Sequence, residues 1–181
     1  MHPEKYFTAA PELPSEVALE LPASALGTAW KKLKRDVLGE FLLSVVLQQF
    51  LPEDEARQSA AGWRGDRYEL FEHQASGRLL LVCVTDWDTA TEATKFFHSY
   101  AKLVALKYPG WVRRSVAEQS GHIWQQEGPD GPAPTQSRQQ RVLMLRQHEH
   151  FVQIVEGALA DDLPRLRTLL AQATAVPAPP R

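Results

Sequence analysis

The chain has little that would hold it together covalently. Its 181 residues include one cysteine, Cys83, inside the apolar run Leu79–Val84. A lone cysteine excludes an internal disulfide framework, and a thiol in an apolar strand reads as an inert core residue. Charge of either sign is also lacking in excess, because 20 basic residues face 22 acidic ones for a net −2. That balance excludes a global attraction to nucleic acid or anionic lipid. Long hydrophobic runs are absent too. The most apolar helical stretch, residues 41–51, is shorter than the ~20 residues a membrane span needs, and Ser44, Gln48 and Gln49 interrupt it. Residues 1–22 lack the continuous apolar core of a signal peptide. The expectation is therefore a cytoplasmic protein, or an envelope protein whose signal has been removed.

Catalytic signatures are missing as well. The sequence holds no Gly-x-Ser-x-Gly elbow and no His-Glu-x-x-His helix, and no internal repeat is visible. No complete catalytic constellation and no cofactor is expected.

What is present is a hydrophobic fraction of 44%, ordinary for a folded domain and enough to build a core without staples. Residues 1–35 read as an extended proline-rich arm, with Tyr6, Phe7 and Leu13 as anchors. Residues 36–173 read as one α+β domain, and 174–181 as a disordered tail. Val37, Leu38, Phe41, Leu42, Val45 and Val46 recur at three- and four-residue steps, the signature of an amphipathic helix. Pro52 ends it and starts a short second helix, which Gly62 closes. Residues 66–73 and 78–87 form a hairpin across Ala75-Ser76-Gly77. Residues 88–110 hold the clearest helix, with Ala93, Phe96, Phe97, Tyr100, Leu103 and Val104 on one stripe and a Thr89/Glu92 capping box. Two short strands around Ser120-Gly121 follow, then a loop over 129–140. A second hairpin turns near Gln147–His150, and a closing helix is capped by Asp161 or Asp162. Hairpins make antiparallel sheets, so the expected fold is α+β: about four to six antiparallel strands with helices packed on them.

Several motifs invite functional readings. Arg64-Gly65-Asp66 matches an adhesion tripeptide, but Trp63 and the strand residues Arg67-Tyr68 hem it in. Its glycines suit a tight turn in which Asp66 accepts backbone N–H bonds. Asp86 and Asp88 are spaced to share one hard cation, yet they sit where a strand passes into a helix, where aspartates cap. His148 and His150 are the local candidates for metal ligands, two where zinc takes three or four. The basic run Lys31–Arg35 reads as a solvated face. Trp63, Trp87, Trp111 and Trp124 sit at element ends, where indoles cover core edges or line a ligand site.

The runs Ala60–His73 and Val84–Tyr100 together resemble a module of uncharacterised bacterial and archaeal surface proteins and lipoproteins. In that pattern Gly-Trp-x-Gly-Asp-Arg opens a strand and Trp-Asp-(Ser/Thr) opens a helix. The matching residues are Gly62, Trp63, Gly65, Asp66, Arg67, Trp87, Asp88, Thr89, Ala93 and Phe96, with Leu38–Glu40 ahead of them and a fainter echo at 146–157. The module sometimes follows a metallopeptidase-like region. The resemblance implies a non-enzymatic binding or accessory module of a bacterial envelope protein, and makes the arginine of the tripeptide incidental. It also suggests that Asp66 and Arg67 pair with Asp86 or Asp88. The alternatives are a small-ligand-binding protein or an enzyme with a pocket lined by tryptophans and by His122 or His148, and a cytoplasmic protein–protein adaptor. Ligand-binding residues expected on these grounds are Trp63, Asp66, Arg67, Trp87, Asp88 and Trp124. The expected partner is a protein or small ligand and not nucleic acid, and the expected state is a monomer or homodimer.

Overall fold

The computed structural model describes residues 13–116, 121–126, 140–171 and 174–176. The elements run β1 (Glu16–Ala18), β2 (Trp30–Asp36), α1 (Gly39–Gln48), α2 (Glu53–Ala60), β3 (Trp63–His73), β4 (Arg78–Trp87) and α3 (Ala90–Lys107). They continue as β5 (Trp111–Val116), β6 (Gly121–Gln126), β7 (Arg141–His148), β8 (Phe151–Leu159), α4 (Leu163–Leu170) and β9 (Thr174–Val176). Seven strands form one antiparallel sheet in the order β2-β3-β4-β8-β7-β6-β5, and β1 pairs with β9 in a separate two-stranded ribbon. The α+β architecture is the expected one. The seventh strand comes from the basic run: the expected boundary between arm and domain, at residue 35, falls inside β2, whose Trp30–Asp36 pair with His73–Tyr68 of β3.

Alternation of side chains along each strand divides the sheet into two faces. On one face the cross-strand row Tyr68–Cys83–Ile154–Leu145–His122 lies beneath α1, α2 and α3. On the other, Val82–Val155–Met144–Ile123 lie beneath α4 and the N-terminal segment. A central strand covered on both sides needs apolar residues at every position, and β4 has them from Leu79 to Val84. Cys83 is buried, and burial together with the nearby Asp66 charge pushes its thiol well above the usual range, so it is inert as expected.

The arm is tied down by an alternation that the proline count conceals. Val17, Leu19 and Leu21 are buried, while Leu13, one of the expected anchors, stays exposed. Tyr6 and Phe7 lie outside the described residues, as do most of the 129–140 loop and the 117–120 connection. Thr174–Val176, expected as part of a disordered tail, pair with Glu16–Ala18.

The helix starts differ in chemistry. Thr89 caps α3: its hydroxyl accepts the Glu92 N–H at 3.2 Å and donates to the Glu92 carboxylate at 3.1 Å. Helix α1 has no cap of its own, and β3 supplies one. The stripe that marks α1 in the sequence is turned outward. Phe41 is 58% exposed, Leu42 44% and Val37 40%, while Leu43, Ser44 and Leu47 face the core with Glu40. The helix is apolar on both sides, so periodicity locates it without revealing which side is covered.

Candidate functional site

The Arg-Gly-Asp segment is the start of β3 and is not displayed. Asp66 is buried, and it accepts the Leu38 and Gly39 N–H groups at 2.8 Å and the Trp63 indole N–H at 3.0 Å. A carboxylate 28 residues away thus caps α1 and locks the first tryptophan of β3 in one contact. Burial raises the Asp66 pKa, against the three N–H donors and Arg67, which lower it. Gly65 lies so close to the arm that a Cβ there would meet the Ser15 carbonyl and hydroxyl oxygens.

Asp86 forms a second node on the opposite face. It is fully buried, accepts the Ser15 hydroxyl, and has the Arg64 Nε at 4.0 Å and the His150 Nε2 at 3.5 Å. Its Oδ1 has no hydrogen-bond partner among the described residues. Serine, aspartate and histidine meet here, but the hydroxyl donates to the carboxylate rather than to the imidazole. That order does not generate a nucleophile. Arg67 contacts Glu16 at 3.5 Å rather than Asp86 or Asp88, which corrects the expected pairing. A third buried carboxylate, Glu69, accepts the Leu21 N–H at 2.9 Å and the Lys32 ammonium at 2.7 Å, with Arg35 at 3.5 Å. The basic run is consumed in such pairs, including Lys34 with Asp36 at 2.8 Å.

The other sequence candidates divide by burial. Trp63, Trp87 and Trp124 converge beneath the helices, all buried, and Trp87 packs against Phe96 with ring centroids 4.6 Å apart. They line a filled core and not a cavity. Asp88 is exposed where Asp86 is buried. His148 ends β7 and His150 stands in the turn after Glu149, whose φ is +52°. His122 leans on Phe97 and Trp124, and burial and then Arg113 lower its pKa. Among the described residues no three His, Cys, Asp or Glu side chains gather as a metal set.

A concavity among the described residues lies on the helix side of the sheet beyond the C-terminal end of α3. It is a groove of about 520 Å³, within the ~300–1,000 Å³ that small-molecule sites occupy. Its floor is Leu70, Leu79 and Leu81, and Leu79 is 50% exposed. One wall is Tyr108 and Trp111, stacked at 4.5 Å with 26° between the rings. The rim carries Lys107, Arg141 and Glu156. Glu156 interrupts the otherwise apolar cross-strand row Leu70–Leu81–Glu156–Leu143–Trp124. It accepts the Lys107 ammonium at 2.6 Å and the Tyr108 hydroxyl.

Protonation in the groove is settled by that carboxylate. Burial pulls Lys107 down, but the Glu156 hydrogen bond and charge, with Tyr108, outweigh it and leave the ammonium raised. Tyr108 is raised by burial and by Glu156. Both keep their protons at neutral pH. The groove therefore offers an apolar floor, an aromatic wall and three cations, Arg78, Lys107 and Arg141, around one carboxylate.

Sequence reasoning missed Leu70, Leu79, Leu81, Lys107, Tyr108 and Glu156. One signal was available, since Val152, Ile154 and Glu156 alternate onto one face and place a carboxylate where the pattern asks for an aliphatic residue. Trp111 stood among the element-end tryptophans, undistinguished from the three that are buried.

A family model described as a domain of unknown function (DUF8575) matches residues 28–167, which span the sheet from its β2 edge to α4. No curated protein and no solved structure matches the chain.

Proposed function

We propose, for a chain that belongs to the DUF8575 family, that it is a non-enzymatic binding module that holds a small amphiphile in the groove at the end of α3. The observation that carries this reading is the uncovered leucine floor at Leu70, Leu79 and Leu81 beside the Tyr108–Trp111 stack. Soluble domains leave such a surface open where something lies on it. Arg78, Lys107 and Arg141 against the single Glu156 favour an anionic head group, and the leucines take the chain. The groove is read as one that holds a ligand: Lys107 and Tyr108 donate to Glu156, and both have pKa values raised from their ordinary ones.

Fluorescence tests it directly. Trp30, Trp63, Trp87 and Trp124 are buried, while Trp111 is partly open to solvent in the groove. Titration with dodecanoate below its micellar concentration should change the emission, and Trp111→Phe should abolish that change. Arg141→Ala should weaken dodecanoate without weakening an uncharged dodecyl glucoside. Failure of both probes to bind removes the groove as the site. Equal binding of dodecyltrimethylammonium removes the anionic preference and leaves the groove. The bacterial-envelope setting is part of the proposal and is supported by the motif resemblance alone. Recovery of the native protein in the soluble cytoplasmic fraction would overturn it.

A further inference from the structure

The outward side of α1 gathers several of the exposed large apolar side chains among the described residues. Leu33, Val37, Phe41, Leu42, Val46 and Phe50 are all exposed, and they follow one another from the end of β2 through α1. Residues 41–51 contain no charged side chain. A helix that is apolar on both sides is normally buried on both sides. Taken with ordinary side-chain areas, the exposed fractions amount to about 450 Å² of apolar surface, at the ~400 Å² beyond which an exposed patch marks a binding surface. The polar rim brings the face toward the ~800 Å² that each partner contributes to a standard interface.

We infer that this face is the contact surface between two copies of the chain, which pack α1 against α1 about a two-fold axis. Three observations favour a second copy over an unrelated partner. Residues 41–51, which supply most of the face, carry no charge, so nothing among them selects an acidic or a basic partner, and homodimer interfaces are the more apolar class. The two ends are self-complementary. The exposed Lys34–Asp36 pair stands beside the start of α1, and the exposed Glu53–Arg57 pair beyond its end. An antiparallel α1–α1 contact therefore brings one pair of each copy toward the other pair of its mate, with both signs present on both sides. A receiving hollow is also present. About 380 Å³ lies between α1 and α2, edged by Glu40, Phe41, Ser44, Val45 and Gln48 of α1 and by the Glu53–Arg57 pair of α2, room for a side chain of the second copy with an apolar body and a polar tip to act as an anchor.

The neighbouring route to association is closed. β2 is one of the two edge strands of the sheet, β5 being the other, but its register shifts between Lys32 and Lys34, and it carries Lys31, Lys32, Lys34 and Arg35. Bulges and lysines are how edge strands avoid extending a sheet into another molecule. Extension of the sheet at the β2 edge beside α1 is thereby disfavoured.

Sedimentation equilibrium of the purified chain tests the inference. The unmodified protein should approach the dimer mass at concentrations of about 100 μM, and Phe41→Glu and Val46→Lys should each weaken the dimer by roughly 30-fold or more. Both side chains are at the surface, so far-UV circular dichroism should be unchanged. Leu106→Glu, an equally exposed leucine on α3, should leave the dimer intact. A monomeric unmodified protein overturns the inference. So does a dimer that survives both α1 variants, or one that Leu106→Glu disrupts equally.

Discussion

Replacing Asp66 with alanine leaves three donors aimed at an apolar methyl group: the Leu38 and Gly39 N–H groups at the start of α1 and the Trp63 indole N–H. Hydrogen bonds to a charged acceptor contribute about 1.5–3 kcal/mol each, so the three together are worth several kcal/mol in gross terms. Against them stands the desolvation of the carboxylate, which is large enough to raise its pKa despite the donors. The net cost of Asp66→Ala should fall at about 3 kcal/mol, comparable with loss of a helix cap plus one orphaned buried donor. For a chain of this size that is a drop of roughly 6–12 °C in Tm, or about 1 M in urea midpoint. The sign of the pH dependence follows from the raised pKa. A carboxyl raised in the fold contributes most below its unfolded value, and the contribution falls as pH rises through the folded value. The cost of Asp66→Ala should therefore be larger near about pH 4 than near about pH 7. Urea unfolding followed by tryptophan fluorescence at both pH values measures it. A change within about 0.5 kcal/mol at both, the scatter of ordinary surface substitutions, would refute the cap-and-anchor role of Asp66.

Gly157→Ala should destabilise by about 3 kcal/mol or more, because the backbone there is left-handed at φ +88° and a Cβ would meet the Leu79 carbonyl oxygen. A thermal melt that matches the unmodified protein would contradict that close approach. Ser15→Ala should cost about 1–3 kcal/mol by stripping the hydroxyl from the buried Asp86 carboxylate, and should speed proteolysis of the N-terminal segment. An unchanged cleavage rate would mean that Ser15 does not hold the arm. Lys107 and Tyr108 both carry raised pKa values. The stability they contribute is present below the unfolded values and lost as pH rises through the folded ones, so the protein should weaken above about pH 10. Tyr108→Phe should make that alkaline limb shallower, and identical limbs in chemical denaturation would count against the Glu156 network.

The layers of the fold were legible because their signals are local. The 3.6-residue stripe of α3 and its Thr89 cap name the helix and its start, and the apolar run of β4 names a central strand, covered on both faces from Val82 to Val84. Two features were not legible, for opposite reasons. In α1 the apolar residues exceed what one face can hold, so the pattern fits two orientations, and only the position of Leu43 and Leu47 over β3 selects one. In the arm, four prolines mask the alternation of Val17, Leu19 and Leu21, which binds the segment to the sheet. The buried carboxylates were partly legible. Asp66 is recognisable as a turn aspartate, but its partners lie at Leu38 and Gly39, and no spacing in the sequence joins those positions. The groove was the least legible of all. Its residues come from β3, β4, the end of α3, the start of β5, β7 and β8, and only the tertiary fold brings them to one place.

The pairing of Glu16–Ala18 with Thr174–Val176 has a topological consequence. The first and last described strands are neighbours, so the order in which the elements are synthesised is separable from the way they pack. A circularly permuted chain that links β9 to β1 and opens at the exposed Gln74–Gly77 turn would keep every strand partner of the seven-stranded sheet. Such a chain should fold to the same core, with β4 rather than the arm leaving the ribosome first.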